Sequence, residues 1–62
     1  SEELADQLLL PCALVGEGAF RTPRATSHTT SNAALIERFL PVRIEFTAAD
    51  RSTLVQVSPR PA

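Results

Sequence analysis

Apolar residues at helical spacing mark the beginning of the chain. Leu4, Leu8 and Cys12 recur every four residues, and Ala5 and Leu9 widen the stripe that they form. A stripe of this kind is typical of an amphipathic helix that buries one face. The pattern therefore predicts a first helix that packs against the rest of the domain.

The residues at both ends of this stripe favour helix termini. Ser1 can accept hydrogen bonds from free backbone amides, and the carboxylates after it complement the positive end of the helix dipole. Pro11 removes one hydrogen bond of the helix and predicts a kink there. We expect the helix to end near Val15, where glycines follow, and a short strand to run from Ala19 to Thr22.

A second helix is expected to begin inside the polar run from Arg24 to Asn32. Side chains of this run compete with the backbone for hydrogen bonds, and they therefore favour loops and helix N-termini. The apolar face of the helix is formed by Ala33, Ile36 and Leu40. Pro41 disfavours the helical conformation of the residue before it and ends the helix.

From Val42 the apolar period changes to two, which predicts a half-buried strand. A polar turn from Ala48 to Ser52 leads to a second alternating segment that ends at Val57, so the two strands should form an antiparallel hairpin. The fold class is then α+β, in the order helix, strand, helix, strand, strand. We assign residues 1–57 to one domain and expect residues 58–62, with two prolines, to be a disordered tail.

Composition narrows the possible functions. With 62 residues and one cysteine, the chain can build only a thin core without a disulfide, and Cys12 reads as a reduced thiol packed in that core. A net charge of −1 argues against RNA binding by bulk attraction, so any RNA contact must be local. A lone cysteine without a CxxC spacing indicates an intracellular setting, so we expect a cytoplasmic protein, and no apolar run approaches the ~20 residues that span a bilayer. Because methionine is absent, we also expect a piece of a longer protein.

His28 is the candidate reactive residue. At the start of the second helix its imidazole would lie beside free amides and several hydroxyl groups, which suits a phosphate group. A neutral imidazole can attack through one ring nitrogen while the other is oriented by an acceptor. Arg21 and Arg24, just upstream, could neutralise charge on phosphoryl oxygens.

The residues alone leave a plainer interpretation open. His28 could be a loop histidine, Ser27 or Thr29 could simply cap the helix, and the arginines could be solvated. Asp6 and Gln7 pose the same choice between exposed helix positions and ligand contacts. They would contact a ligand only if they face His28.

Three blocks of sequence favour the functional interpretation of these residues over the plainer one. Leu4 to Leu14 (LADQLLLPCAL), Ser27 to Asn32 (SHTTSN) and Ile36 to Arg43 (IERFLPVR) stand in the order and spacing of the C-terminal end of bacterial RNA 3'-terminal phosphate cyclases. The chain resembles these enzymes from about Glu2 to Val57.

The resemblance implies an activity and a site. Such enzymes convert an RNA 3'-phosphate to a 2',3'-cyclic phosphate with ATP, and the histidine that matches His28 becomes adenylylated. The nucleotide-binding segment corresponds to Glu3, Leu4, Ala5, Asp6 and Gln7. Cyclases often have a tyrosine at the position of Glu3, and a carboxylate cannot stack on adenine as that ring does. A divalent metal, Mg or Mn, is expected, with ligands outside this chain.

The resemblance also implies an incomplete fold. The chain corresponds to a βαβαββ repeat without its first strand, with two helices on one face of a small sheet. We expect it to be inactive without the missing N-terminal part of the enzyme and to self-associate when isolated, because a sheet edge and an apolar helix face stay uncovered. The expected partners are that part and an RNA 3'-phosphate end, with no membrane.

Two alternatives stay open. The chain could belong to a non-catalytic, cyclase-like module that binds RNA or ribosome precursors. It could also be a small α+β interaction module whose similarity is inherited but unused.

Overall fold

The computed structural model describes residues 2–61, with side chains from Leu4 onward. Its elements follow the predicted order: α1 (Glu2–Val15), β1 (Gly18–Thr22), α2 (Ser27–Phe39), β2 (Val42–Ala49) and β3 (Ser52–Pro59). The predicted α+β class and the β2–β3 hairpin are confirmed. The predicted cap at Ser1 lies outside the described residues.

The strands form one antiparallel sheet in the order β1-β3-β2. Val55 at the centre of β3 pairs with Phe20 of β1 on one side and with Phe46 of β2 on the other. Both helices cover one face of this sheet, as predicted, because α1 contacts β1 and β3 while α2 contacts β2 and α1. The buried core between these layers consists of Leu9, Ala13, Ala33, Val42, Ile44, Val55 and Val57.

The C-terminal ends of α1 and α2 are explained by the residues next to them. α1 continues through Pro11 and closes where the Gly16 amide donates to the carbonyl of Cys12 at 2.9 Å, with Gly16 at a φ of 96°. Cys12 is a free, partly buried cysteine that packs against the core. α2 ends at Phe39, and the cap residue Leu40 has the extended conformation (φ −121°, ψ 147°) that a following proline favours.

The C-terminal residues correct the expectation of a disordered tail that begins at Ser58. β3 continues to Pro59, which pairs with Val42 at the start of β2. The Arg60 amide then donates to the carbonyl of Pro41 at 2.8 Å. Residues 58 to 60 are therefore ordered by the neighbouring strand and by the residues before it, which the local sequence could not show.

Candidate functional site at the start of α2

Thr26 caps α2 and determines where His28 lies. Its backbone is extended (φ −90°, ψ 166°), and its hydroxyl accepts a hydrogen bond from the Thr29 amide at 3.2 Å. The cap is thus Thr26 rather than Ser27 or Thr29. His28 lies in the first helical turn with 74% of its side chain exposed, so it is neither a loop residue nor part of the core.

Asp6 of α1 faces His28 across the helix pair. One carboxylate oxygen, Oδ1, accepts a hydrogen bond from the Thr29 hydroxyl at 2.9 Å. The other, Oδ2, lies 3.7 Å from His28 Nε2. Asn32, one turn further along α2, brings its amide nitrogen to 3.4 Å from the same ring nitrogen. The structure therefore brings together the histidine and the aspartate that the sequence singled out.

The arrangement leaves the imidazole chemically available. Nε2 can accept from the Asn32 amide when it carries no proton, and it can face the Asp6 carboxylate when it carries the ring proton; among residues 4–61 the other ring nitrogen has no hydrogen-bond partner. The first-turn amides of α2 carry partial positive charge beside the ring, and such helix ends attract phosphate groups. An exposed, oriented imidazole at this position can attack an electrophilic phosphorus.

The other residues of the predicted nucleotide segment differ in accessibility. Leu4 and Gln7 are exposed on α1. Ala5 is only 3% exposed and belongs to the buried core. The side chain of Glu3 lies outside the described part of the chain. Which of these residues bind a ligand stays a prediction.

The two upstream arginines lie in different surroundings. Arg21 of β1 donates to the hydroxyl of Ser52 at 3.2 Å, and the alternation of the strand directs it away from the face where Thr22 is buried. No contact in the described part of the chain joins Arg21 to His28. Arg24 instead lines a cavity of about 670 Å³ beside the start of α2.

Sequence reasoning missed Thr29 and Asn32 as contributors to the site. Thr29 is 1% exposed. It stands four residues before Ala33, on the apolar face of α2, where a buried hydroxyl needs a hydrogen-bond partner. Asn32 follows His28 by one helical turn and so shares its surface. Both positions were therefore detectable from the spacing.

A groove of about 270 Å³ extends from this site between the helices. It is lined by Asp6, Leu9, Leu10, Asn32, Leu35 and Ile36. Its polar end thus consists of the same two residues that approach His28, and the rest is aliphatic.

Within residues 2–61, no three histidine, cysteine, aspartate or glutamate residues come together as a possible metal site. The helices in that range are also too short or too polar to cross a bilayer.

Comparison with known proteins places these features in a family. The family model described as RNA 3'-terminal phosphate cyclase matches residues 1–46, which include α1, His28 and all of α2. This chain belongs to the RNA 3'-terminal phosphate cyclase family. It is 56% identical over 57 residues to the RNA 3'-terminal phosphate cyclase of Salmonella typhimurium, an alignment that covers 92% of this chain. The Pseudomonas aeruginosa (strain UCBPP-PA14) cyclase is 63% identical over 49 residues, or 79% of the chain.

The alignments cover only a small part of these relatives. The matched residues amount to 17% of the Salmonella cyclase and 14% of the Pseudomonas cyclase. Most of each cyclase therefore lies outside the match.

Proposed function

We propose that this chain is the C-terminal segment of an ATP-dependent RNA 3'-terminal phosphate cyclase, in which His28 accepts AMP from ATP. One observation carries the proposal: an exposed His28 in the first turn of α2 faces Asp6 of α1. Membership of the cyclase family supports the enzyme class. A cytoplasmic location is part of the proposal.

The proposed reaction gives the RNA 3'-phosphate a good leaving group, AMP, and it proceeds through three displacements. A ring nitrogen of His28 attacks the α-phosphorus of ATP, and pyrophosphate leaves. An oxygen of the RNA 3'-phosphate then attacks the same phosphorus, so that AMP passes to the RNA and the imidazole is freed. Finally the neighbouring 2'-hydroxyl attacks the 3'-phosphorus, loses its proton and expels AMP, which closes the 2',3'-cyclic phosphate.

The residues around His28 suit the first displacement. Asp6 and Asn32 both flank Nε2 of the ring, so either can position it according to the tautomer, and positioning supplies much of the acceleration in phosphoryl-group chemistry. The free amides at the start of α2 can stabilise negative charge on the transferred phosphate. Asp6 and Gln7 are proposed to lie near the adenosine, where Glu3 offers no ring for stacking. A divalent metal bound by the rest of the enzyme would neutralise the triphosphate.

The test is formation of a covalent adduct. Incubation of the full-length protein with α-labelled ATP should give a labelled protein adduct that is acid-labile and base-stable, because a phosphoramidate has these properties. His28→Ala should abolish the label, while Arg43→Ala, an exposed position on β2, should retain it. The 62-residue chain alone should form no adduct, since most of the enzyme is missing from it.

An equal adduct in His28→Ala would overturn the assignment of the nucleophile. Absence of any adduct from the unaltered protein, with RNA binding retained, would instead favour the non-catalytic module that binds RNA or ribosome precursors.

A further inference from the structure

The cavity that Arg24 lines lies beside the site rather than within it. Its volume is about 670 Å³. Phe46, Ala48 and Thr53 form its floor, and the segments 23–25 and 50–52 form its walls. One wall is thus the connection that leads into α2, and the other is the turn between β2 and β3.

The cavity forms because β1 is shorter than the β2–β3 hairpin beside it. Phe46 and Ala48 alternate with the same period as buried Ile44, so they face the side of the sheet that carries the helices. β1 ends at Thr22, which pairs with Thr53, whereas the β2–β3 hairpin continues beyond that point. Ala48 is therefore exposed on a face that the helices cover elsewhere.

The charges that line the cavity favour an anion. Arg24 and Arg51 come from two different segments that line the cavity, and within residues 4–61 neither guanidinium group makes a hydrogen bond or an ion pair. Asp50, in the turn, is the acidic residue among the lining side chains. Two arginines without partners outweigh one carboxylate, and the planar guanidinium group matches the geometry of phosphate oxygens.

The cavity is also close to the proposed nucleophile. Ala25 lines it and stands three residues before His28. Because consecutive Cα atoms are about 3.8 Å apart, these two residues can be separated by at most about 11 Å. Phe46 on the floor adds a partly buried aromatic ring, and bases of single-stranded RNA stack on such rings.

We propose that this cavity binds the RNA strand next to its 3'-terminal nucleotide. Arg24 and Arg51 contact the phosphodiester, and the preceding base lies over Phe46. The inference rests on the proposed function, because the strand must place its 3'-phosphate at His28. It adds a subsite for substrate in a segment whose net charge gave no sign of RNA binding.

The test compares substrates of two lengths in the full-length protein. Arg51→Ala should raise KM for a 3'-phosphorylated RNA hexanucleotide by about tenfold, and it should lower the slope of log affinity against log salt by about one. KM for a 3'-phosphorylated mononucleoside should not change, because that substrate does not reach the cavity. Arg24→Ala should show the same difference between substrates. Arg43→Ala, on the opposite face of the sheet, is the matched control.

Labelling with ATP separates this inference from the proposed function. If Arg51→Ala still forms the protein adduct, it is folded, and an unchanged KM for the hexanucleotide then overturns the inference. An equal rise in KM for the hexanucleotide and for the mononucleoside also overturns the inference. If the unaltered protein forms no adduct, the proposed function fails, and direct binding of a fluorescent hexanucleotide tests the cavity: weaker binding to Arg51→Ala supports it, and equal binding overturns it.

Discussion

At the scale of single residues, Thr29 connects the two helices where His28 is presented. Its buried hydroxyl donates to Asp6 at 2.9 Å and lies 3.2 Å from the hydroxyl of Thr26. Since the Thr29 hydroxyl proton points to Asp6, the Thr26 hydroxyl donates to the Thr29 oxygen. A chain of hydrogen bonds thus links the cap of α2 to the carboxylate that faces His28.

Replacement of Thr29 by valine should weaken both folding and reactivity. Valine keeps the volume but leaves Asp6 without its donor, so we expect a loss of about 1–3 kcal/mol in the free energy of unfolding. Urea unfolding of the chain measures this loss. Because Asp6 is no longer held toward His28, adduct formation by the full-length protein should also slow.

Thr29→Ser is the matched control, since it retains the hydroxyl and should restore the rate of adduct formation. If serine failed to restore that rate while valine and serine were equally stable, Thr29 would have no role in positioning Asp6.

At the scale of elements, the residue that directly follows β3 contacts the end of α2. The Arg60 guanidinium donates to the carbonyls of Glu37 and Leu40, at 3.0 and 3.4 Å. These carbonyls belong to the last turn, where the helix has no internal donors left and where a positive charge complements the dipole. The Glu37 carboxylate in turn accepts from the amide of Ile44 on β2, an edge strand, at 2.8 Å.

Arg60→Ala should therefore destabilise the chain although Arg60 lies outside every element. Loss of the capping contacts and of the favourable charge should lower the free energy of unfolding by about 0.5–1.5 kcal/mol. Thermal or urea unfolding provides the measurement, with Arg43→Ala as an exposed arginine for comparison. Equal stability of the two variants would show that these contacts contribute nothing in solution.

At the scale of the whole molecule, both helices expose large apolar side chains, α1 more of them than α2. The exposed large side chains are Leu4, Leu8, Leu10, Leu14, Val15, Leu35 and Phe39. Among residues 2–61, β1 pairs only with β3, so its other edge is open to a further strand. Exposed apolar surface together with an unpaired strand edge promotes association.

The isolated chain should consequently self-associate. Sedimentation velocity at increasing concentration should show species larger than a monomer. Leu10→Gln combined with Leu35→Gln should reduce them, because both leucines line the groove between the helices. A monomer at every concentration tested would contradict this prediction.

Local periodicity was sufficient to predict most elements. The stripes of α1 and α2 and the alternation of β2 depend on neighbours a few residues away, and such patterns are readable in the sequence. The sequence pattern did not predict where β3 ends, because Ser58 and Pro59 are ordered by pairing with β2. The role of Ala5 was also uncertain, since the resemblance gives a segment but not which side chain faces inward.

By itself the sequence determined the order of elements, the family and the position of His28 near a helix start. Only the tertiary structure decided that Asp6 faces His28, that Thr29 connects them, and that Arg24 and Arg51 line one cavity. The physical reason is that spacing along the chain specifies which face of an element is apolar. Distances between residues on different elements depend on how those faces pack.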